Sequence, residues 1–165
     1  MPMMNEQEIA QQQAMILFDR AYRHQMQGEL AQAMVLYKRS IAIQPTAEAH
    51  TFLGWVYGLL DRHDEAIAEC EQAITLDPGY GNPYNDIGVY LLEMGQPEAA
   101  VPWFEQALNA SRYEAPQFPR VNLGRAYERL GDPLTSLHWY RTALEIDPLY
   151  LPAEWAKNLL LGKLN

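Results

Sequence analysis

Residues 53–78 read LGWVYGLLDRHDEAIAECEQAITLDP. Two halves of helical period flank a short break. Together with Phe52 just upstream, Leu53, Val56, Tyr57 and Leu60 recur one and four residues apart before the break, and Ala66, Ile67, Cys70, Ala73 and Ile74 keep a helical spacing after it. The break itself, Asp61-Arg62-His63-Asp64, carries turn residues with Asp read as a helix N-cap. Asp77-Pro78 ends the second half, because proline cannot continue a helix and turns its predecessor away from α geometry.

Working outward, the same unit recurs. A small residue stands at Ala21, Gly54, Gly88 and Gly124, a second at Ala33, Ala66, Ala100 and Ser136, and a closing residue at Pro45, Pro78, Arg112 and Pro148. The spacing from first marker to closing residue is constant, and only the connectors between copies vary. Constant units on variable connectors describe stacked supersecondary units with insertions confined to loops. The other breaks, Gly28-Glu29, Gly95-Gln96-Pro97 and Gly131-Asp132-Pro133, put glycine just past a helix and proline in the next first turn. The small residues let two helices cross closely, and Tyr37, Phe104 and Tyr140 are expected to fill the space between repeats.

Composition narrows the class. The chain has 165 residues, 48% of them hydrophobic, which suits one domain with a real core. Twelve Lys+Arg against 21 Asp+Glu give a formal net charge of −9, the wrong sign for a phosphate backbone or an anionic membrane surface. A single cysteine excludes an intramolecular disulfide. No apolar run approaches the roughly 20 residues of a membrane span, and MPMMNEQEIAQQQ has neither the basic nor the apolar region of a signal peptide. A cytoplasmic protein without direct membrane insertion is the expectation.

The units resemble the tetratricopeptide repeat. The likeness is carried by residues 53–78, by IGVYLLEMGQPEAAVPWFEQAL (87–108) and by LGRAYERLGDPLTSLHWYRTALEIDP (123–148). AYRHQMQGELAQAMVLYKRSIAIQP (21–45) is more degenerate, with Ala21 where glycine is usual. The resemblance implies an all-α superhelical solenoid of antiparallel helix pairs, about nine helices in all. Repeats would span 14–45, 47–78, 81–112 and 117–148, with a helical extension over 1–13 and a capping helix over 149–165. The apolar side of that last helix, Leu151, Trp155, Leu159 and Leu160, is expected to cover the final repeat. Pro102 is expected to bend its helix. A narrower resemblance joins YNDIGVYLLEMGQPEAAVPWFEQAL, the long connector with RYEAP and NLGRAYERLGD to the tetratricopeptide pilotins of type IV pilus assembly. Those carry an acylated N-terminal cysteine, whereas the cysteine here lies within a helix.

Nothing in the sequence reads as catalytic. The four histidines, His24, His50, His63 and His138, lack the spacing that puts two metal ligands on one helical face. His24 is expected to pack in the core. Cys70 stands where other copies carry Tyr37, Phe104 and Tyr140, and reads as a buried small hydrophobe between Glu69 and Glu71. No phosphate loop or nucleophile elbow occurs. A non-enzyme without cofactor or metal is expected. The resemblance also implies that the first helix of each repeat lines a concave groove. Its candidate contact residues here are Phe18, Tyr22, Trp55, Leu59, Asn85, Val89, Leu92, Arg125 and Arg129. The aromatic members would anchor an apolar segment of a protein or peptide partner, and the two arginines would select its acidic end. The lysines and asparagines with which some tetratricopeptide domains clamp a chaperone C-terminus are missing: Phe18, Tyr22 and Phe52 take their places. The alternatives are self-assembly into a homodimer and, from the narrower resemblance, a pilotin-like factor of type IV pilus or secretion assembly.

Overall fold

The computed structural model describes residues 4–165, so the first three residues of the expected extension lie outside the described part. Among the described residues there are nine helices: α1 (Glu6–Met26), α2 (Leu30–Ile43), α3 (Ala47–Leu59), α4 (His63–Leu76), α5 (Asn82–Glu93), α6 (Pro97–Asn109), α7 (Gln117–Arg129), α8 (Pro133–Ile146) and α9 (Leu151–Leu164). None is long and apolar enough to cross a membrane. The chain divides into two compact units, Met1–Pro78 and Gly79–Asn165, rather than closing one undivided core. A repeat buries its face only against its neighbours, so length alone does not set the number of compact units.

In the first unit α1 packs on α2, α2 on α3, and α3 on α4. Asn5 starts α1 with a capping box: its side chain accepts from the Glu8 N–H at 2.8 Å, and the Glu8 carboxylate accepts from the Asn5 N–H at 2.9 Å. The polar stretch at 6–13 is therefore the first part of α1, continuous with the first repeat. Thr46 caps α3 by accepting from the Ala49 N–H at 3.1 Å. The turns inside the repeats all need a left-handed residue. Gly28, Gly95 and Gly131 take it at φ near +76°, and Asp61 takes it at +57° in the second repeat. Asp61 thus does a glycine's work rather than capping a helix, in a conformation that Asp tolerates better than most residues.

In the second unit α5 pairs with α6 and α7 with α8, α6 packs on α7, and α9 follows α8. Asp132 caps α8 through the Thr135 N–H at 3.1 Å. Helix α6 continues through Pro102 from Pro97 to Asn109. The large repeat residues pack on the marker glycine of their own repeat: a methyl group on Gly88 would fall within the Phe104 ring, and one on Gly124 within the Tyr140 ring. They fill the crossing within a repeat and also, as expected, the space to the next element: Phe104 clusters with Leu123 and Ala126, and Tyr140 with Ala153 and Leu160. The connector after α6 is a strap. Arg112 bridges to Tyr80, its N–H donating to Gly79 O at 2.9 Å and its carbonyl accepting from Gly81 N–H at 3.0 Å. Its guanidinium lies 4.2 Å from the centre of the Tyr80 ring, and Tyr113 covers Gly81.

Helix α9 departs furthest from the sequence reading. Ala153 and Leu160 are buried against Val121, Leu137, Tyr140 and Ala143, with Ala156 and Leu161 beside them. Of the four residues expected to cover the last repeat, Leu160 does so at 3% exposure. Leu151, Trp155 and Leu159 are 72%, 70% and 51% exposed. Two alanines let α9 approach α8 closely, and the bulkier stripe is turned outward.

Candidate partner-binding site

In the first unit the expected groove residues belong to an aromatic cluster centred on Phe52. Phe18 meets Phe52 edge-on at 5.3 Å and Tyr37 at 5.5 Å, Tyr22 meets Phe52 at 5.7 Å, and Trp55 leans on it at 5.8 Å. Edge-to-face geometry of this kind adds to the stabilisation from burial. Phe18 is half-buried, whereas Tyr22, Trp55 and Leu59 keep exposed surface. Below the cluster the Tyr37 hydroxyl donates to Gln25 Oε1 at 2.7 Å, and burial raises its phenol well above the usual range. The sequence reading named Phe52 as part of the apolar helical pattern and as a mismatch to the chaperone clamp, but not as a groove candidate. Its central place follows from four ring contacts, of which those to Phe18, Tyr22 and Tyr37 are encoded by no local spacing. His24 is not a core residue: it is half-buried and paired with Glu29. Cys70 is fully buried.

The second unit holds a polar seam at the corresponding helix faces. Asn122 Nδ2 donates to Asn85 Oδ1 at 3.0 Å, and Asn122 Oδ1 accepts from Arg125 Nη1 at 3.1 Å. Asp86 lies beside Asn85, and burial pushes its carboxyl up to about 7. Asn85 and Leu92 are 7% and 5% exposed, so as candidates for partner contact they support the surface from beneath and do not form it. Val89 is partly buried against the cluster of Leu92, Phe104 and Leu123. Arg129 donates to the Leu92 carbonyl at the end of α5, and Arg120 to the Pro116 carbonyl at 2.8 Å. Arg125 is exposed.

Beside Arg125 the α7 and α9 surfaces enclose an open hollow of about 820 Å³. Arg125, Glu128 and Tyr140 form one side, and Leu151, Pro152, Trp155, Leu159 and Lys163 the other. Glu128 closes the joint: Oε1 accepts from Lys163 Nζ at 2.7 Å and Oε2 from the Tyr140 hydroxyl at 3.0 Å. Burial pushes the Glu128 carboxyl up, but the bonds from Lys163 and Tyr140 outweigh it and hold it below its usual range. Burial also pushes the Tyr140 phenol up to about 12, so it remains a donor. Arg125, a groove candidate of the sequence reading, lines this hollow, whereas Trp155 and Leu159 were not among the candidates. Their repeat of four residues within α9 was the available signal, read there as a core face.

Tetratricopeptide-repeat family models match residues 46–112 and 85–150, which together span more than half of the chain. Among solved structures, the chain resembles PilF of Pseudomonas aeruginosa with a TM-score of 0.86 at 20% identity, over 96% of this chain and 71% of that one. It resembles PilW, a widely conserved type IV pilus biogenesis factor, with a TM-score of 0.81 at 20% identity, over 89% and 70%. It also resembles YrrB, a tetratricopeptide protein with an unusual peptide-binding site, at 0.67 and 21%, over 91% and 77%. At such identities the likeness is one of fold. With the repeat markers, the helix pairs and the family models in agreement, the chain belongs to the tetratricopeptide-repeat family and has its all-α solenoid fold.

Proposed function

We propose that this chain is a non-catalytic adaptor that binds a protein or peptide partner on the first-helix faces of its repeats. The observation that supports this most is the open hollow between α7 and α9, where Trp155 stays largely exposed beside Arg125. Tryptophan and arginine left at a concave surface are the residue types that dominate binding energy at interfaces. The exposed rim of the aromatic cluster, Tyr22, Trp55 and Leu59, offers a second anchor of the same type in the first unit. The place of such an adaptor in type IV pilus assembly is a second reading, favoured by the likeness in fold to PilF and PilW over 96% and 89% of this chain.

The test is a pull-down from native lysate with three baits: wild type, Trp55→Ala/Arg125→Glu, and a control changed at exposed Glu105 and Arg141 of α6 and α8. A partner held by wild type and control but lost from the groove variant supports the proposal. A partner held equally by all three overturns it, provided circular dichroism shows unchanged helix content.

A further inference from the structure

Charge in the hollow is unevenly compensated. Of the four arginines between residues 112 and 129, Arg112 stacks on Tyr80, and Arg120 and Arg129 bond main-chain carbonyls. Arg125 bonds a neutral amide, Asn122 Oδ1. Glu128, three residues on, has one oxygen on Lys163 and the other on Tyr140. Glu154 also lines the hollow, in the first turn of α9, where the positive end of the helix partly offsets its charge. Among the described residues no carboxylate bonds Arg125, so its guanidinium lines the hollow with only an amide oxygen for partner, in a protein of net charge −9. Beside it stands an apolar wall of Leu151, Trp155 and Leu159 that no helix of its own unit covers.

We infer that this hollow docks an internal segment of another protein in which a bulky apolar side chain adjoins an Asp or Glu: the apolar group lies on Trp155 and Leu159, and the carboxylate meets the Arg125 fork. This rests on reading the hollow as a binding surface and names the chemistry of its occupant. Arginine's paired N–H groups suit a side-chain carboxylate, and a charge-assisted bond beside an apolar wall is stronger than one in open water. A chain terminus fits less well, because its capture needs a nest of free backbone amides. Arg125 stands inside a helix whose amides bond one another. At the N-terminus of α9, Pro152 has no N–H, and the Ala153 and Glu154 N–H groups already donate to the Tyr150 carbonyl.

Three synthetic peptides test it, titrated to about 1 mM into the full chain and followed by heteronuclear NMR. One is acetyl-Gly-Leu-Phe-Glu-Asp-Gly-amide. The second replaces its acids by Gln and Asn. The third is that neutral peptide with a free C-terminal carboxylate. A Trp155→Phe variant assigns the Trp155 indole signal. The acidic amide is expected to move that signal and to bind about five- to tenfold tighter than the neutral amide. Arg125→Gln is expected to erase the difference and Arg125→Lys to keep part of it. Equal binding of acidic and neutral amides at Trp155 overturns the acidic selectivity and leaves the hollow as a docking surface. Tighter binding of the free-terminus peptide overturns the choice of an internal segment. If no peptide moves the Trp155 signal, the reading of the hollow as a docking surface falls as well. The wild-type comparison alone decides these outcomes should Arg125→Gln fold poorly.

Discussion

Phe52 and Trp55 in the first unit stand at the same places in their repeat as Asn122 and Arg125 in the second. Phe52 gathers four rings around itself, whereas Asn122 links Asn85 to Arg125 through hydrogen bonds. The backbone is the same pair of crossed helices in both. The marker positions fix that crossing, and the remaining face of the first helix is free to be apolar or polar. What varies between the units is therefore the chemistry offered to a partner, laid over a frame that tolerates either.

The largest effect should come from the hub of the aromatic cluster. Phe52→Ala is expected to destabilise the first unit by about 2–3 kcal/mol, below the cost of a fully buried phenylalanine because Phe52 is half-exposed. Asn122→Ala should cost about 1–2 kcal/mol, since it leaves the Asn85 carbonyl without its donor. Urea unfolding of both variants checks the order, and a costlier Asn122→Ala would break the contrast. The frame itself should respond next. Gly124→Ala is expected to lose about 1–3 kcal/mol by driving a methyl group into the buried Tyr140 ring. Gly54→Ala should lose under about 1 kcal/mol. Its methyl group meets Ala66 O at 3.0 Å and Cys70 Sγ at 3.3 Å, and better helix propensity offsets much of the strain. Thermal melts that rank the two glycines the other way would remove the large repeat residue as the source of the constraint.

A last effect, of similar small size, concerns pH. Burial raises the folded-state carboxyl of Asp86 to about 7, so the folded chain holds its proton more tightly than the unfolded one. Stability from this group is present below the usual carboxylate pKa and is lost as pH rises toward 7. Asp86→Asn is expected to stabilise the second unit by about 1 kcal/mol at pH 8 and to change little at pH 4. Equal gains at both pH values would show that ionisation of Asp86 is not the cause.

The helix pairs were legible because their signals are local: a helical period, a left-handed turn residue and a closing proline fall within one repeat. The site was legible only in part. Arg125 and Trp55 became candidates through the groove register that the family resemblance implies. The seam from Asn85 to Asn122 and the Arg129 bond to Leu92 join residues of different repeats, and no single-repeat pattern announces them. Helix α9 misled for a different reason. Leu151, Trp155 and Leu159 are more hydrophobic than Ala153 and Ala156, so apolar spacing pointed inward. Close packing on α8 favours small side chains over hydrophobic ones. In a helix that ends a stack, the buried stripe is found by asking which residues are small.

The strap at Arg112 bears on how such a chain can change over time. By pairing with Tyr80 it brings the start and the end of the third repeat side by side. A segment that leaves from the place where it arrives can be duplicated or deleted as a cassette, with its flanking ends still meeting. In the third repeat those two ends are held together by the main-chain bonds of Arg112 to Gly79 and Gly81.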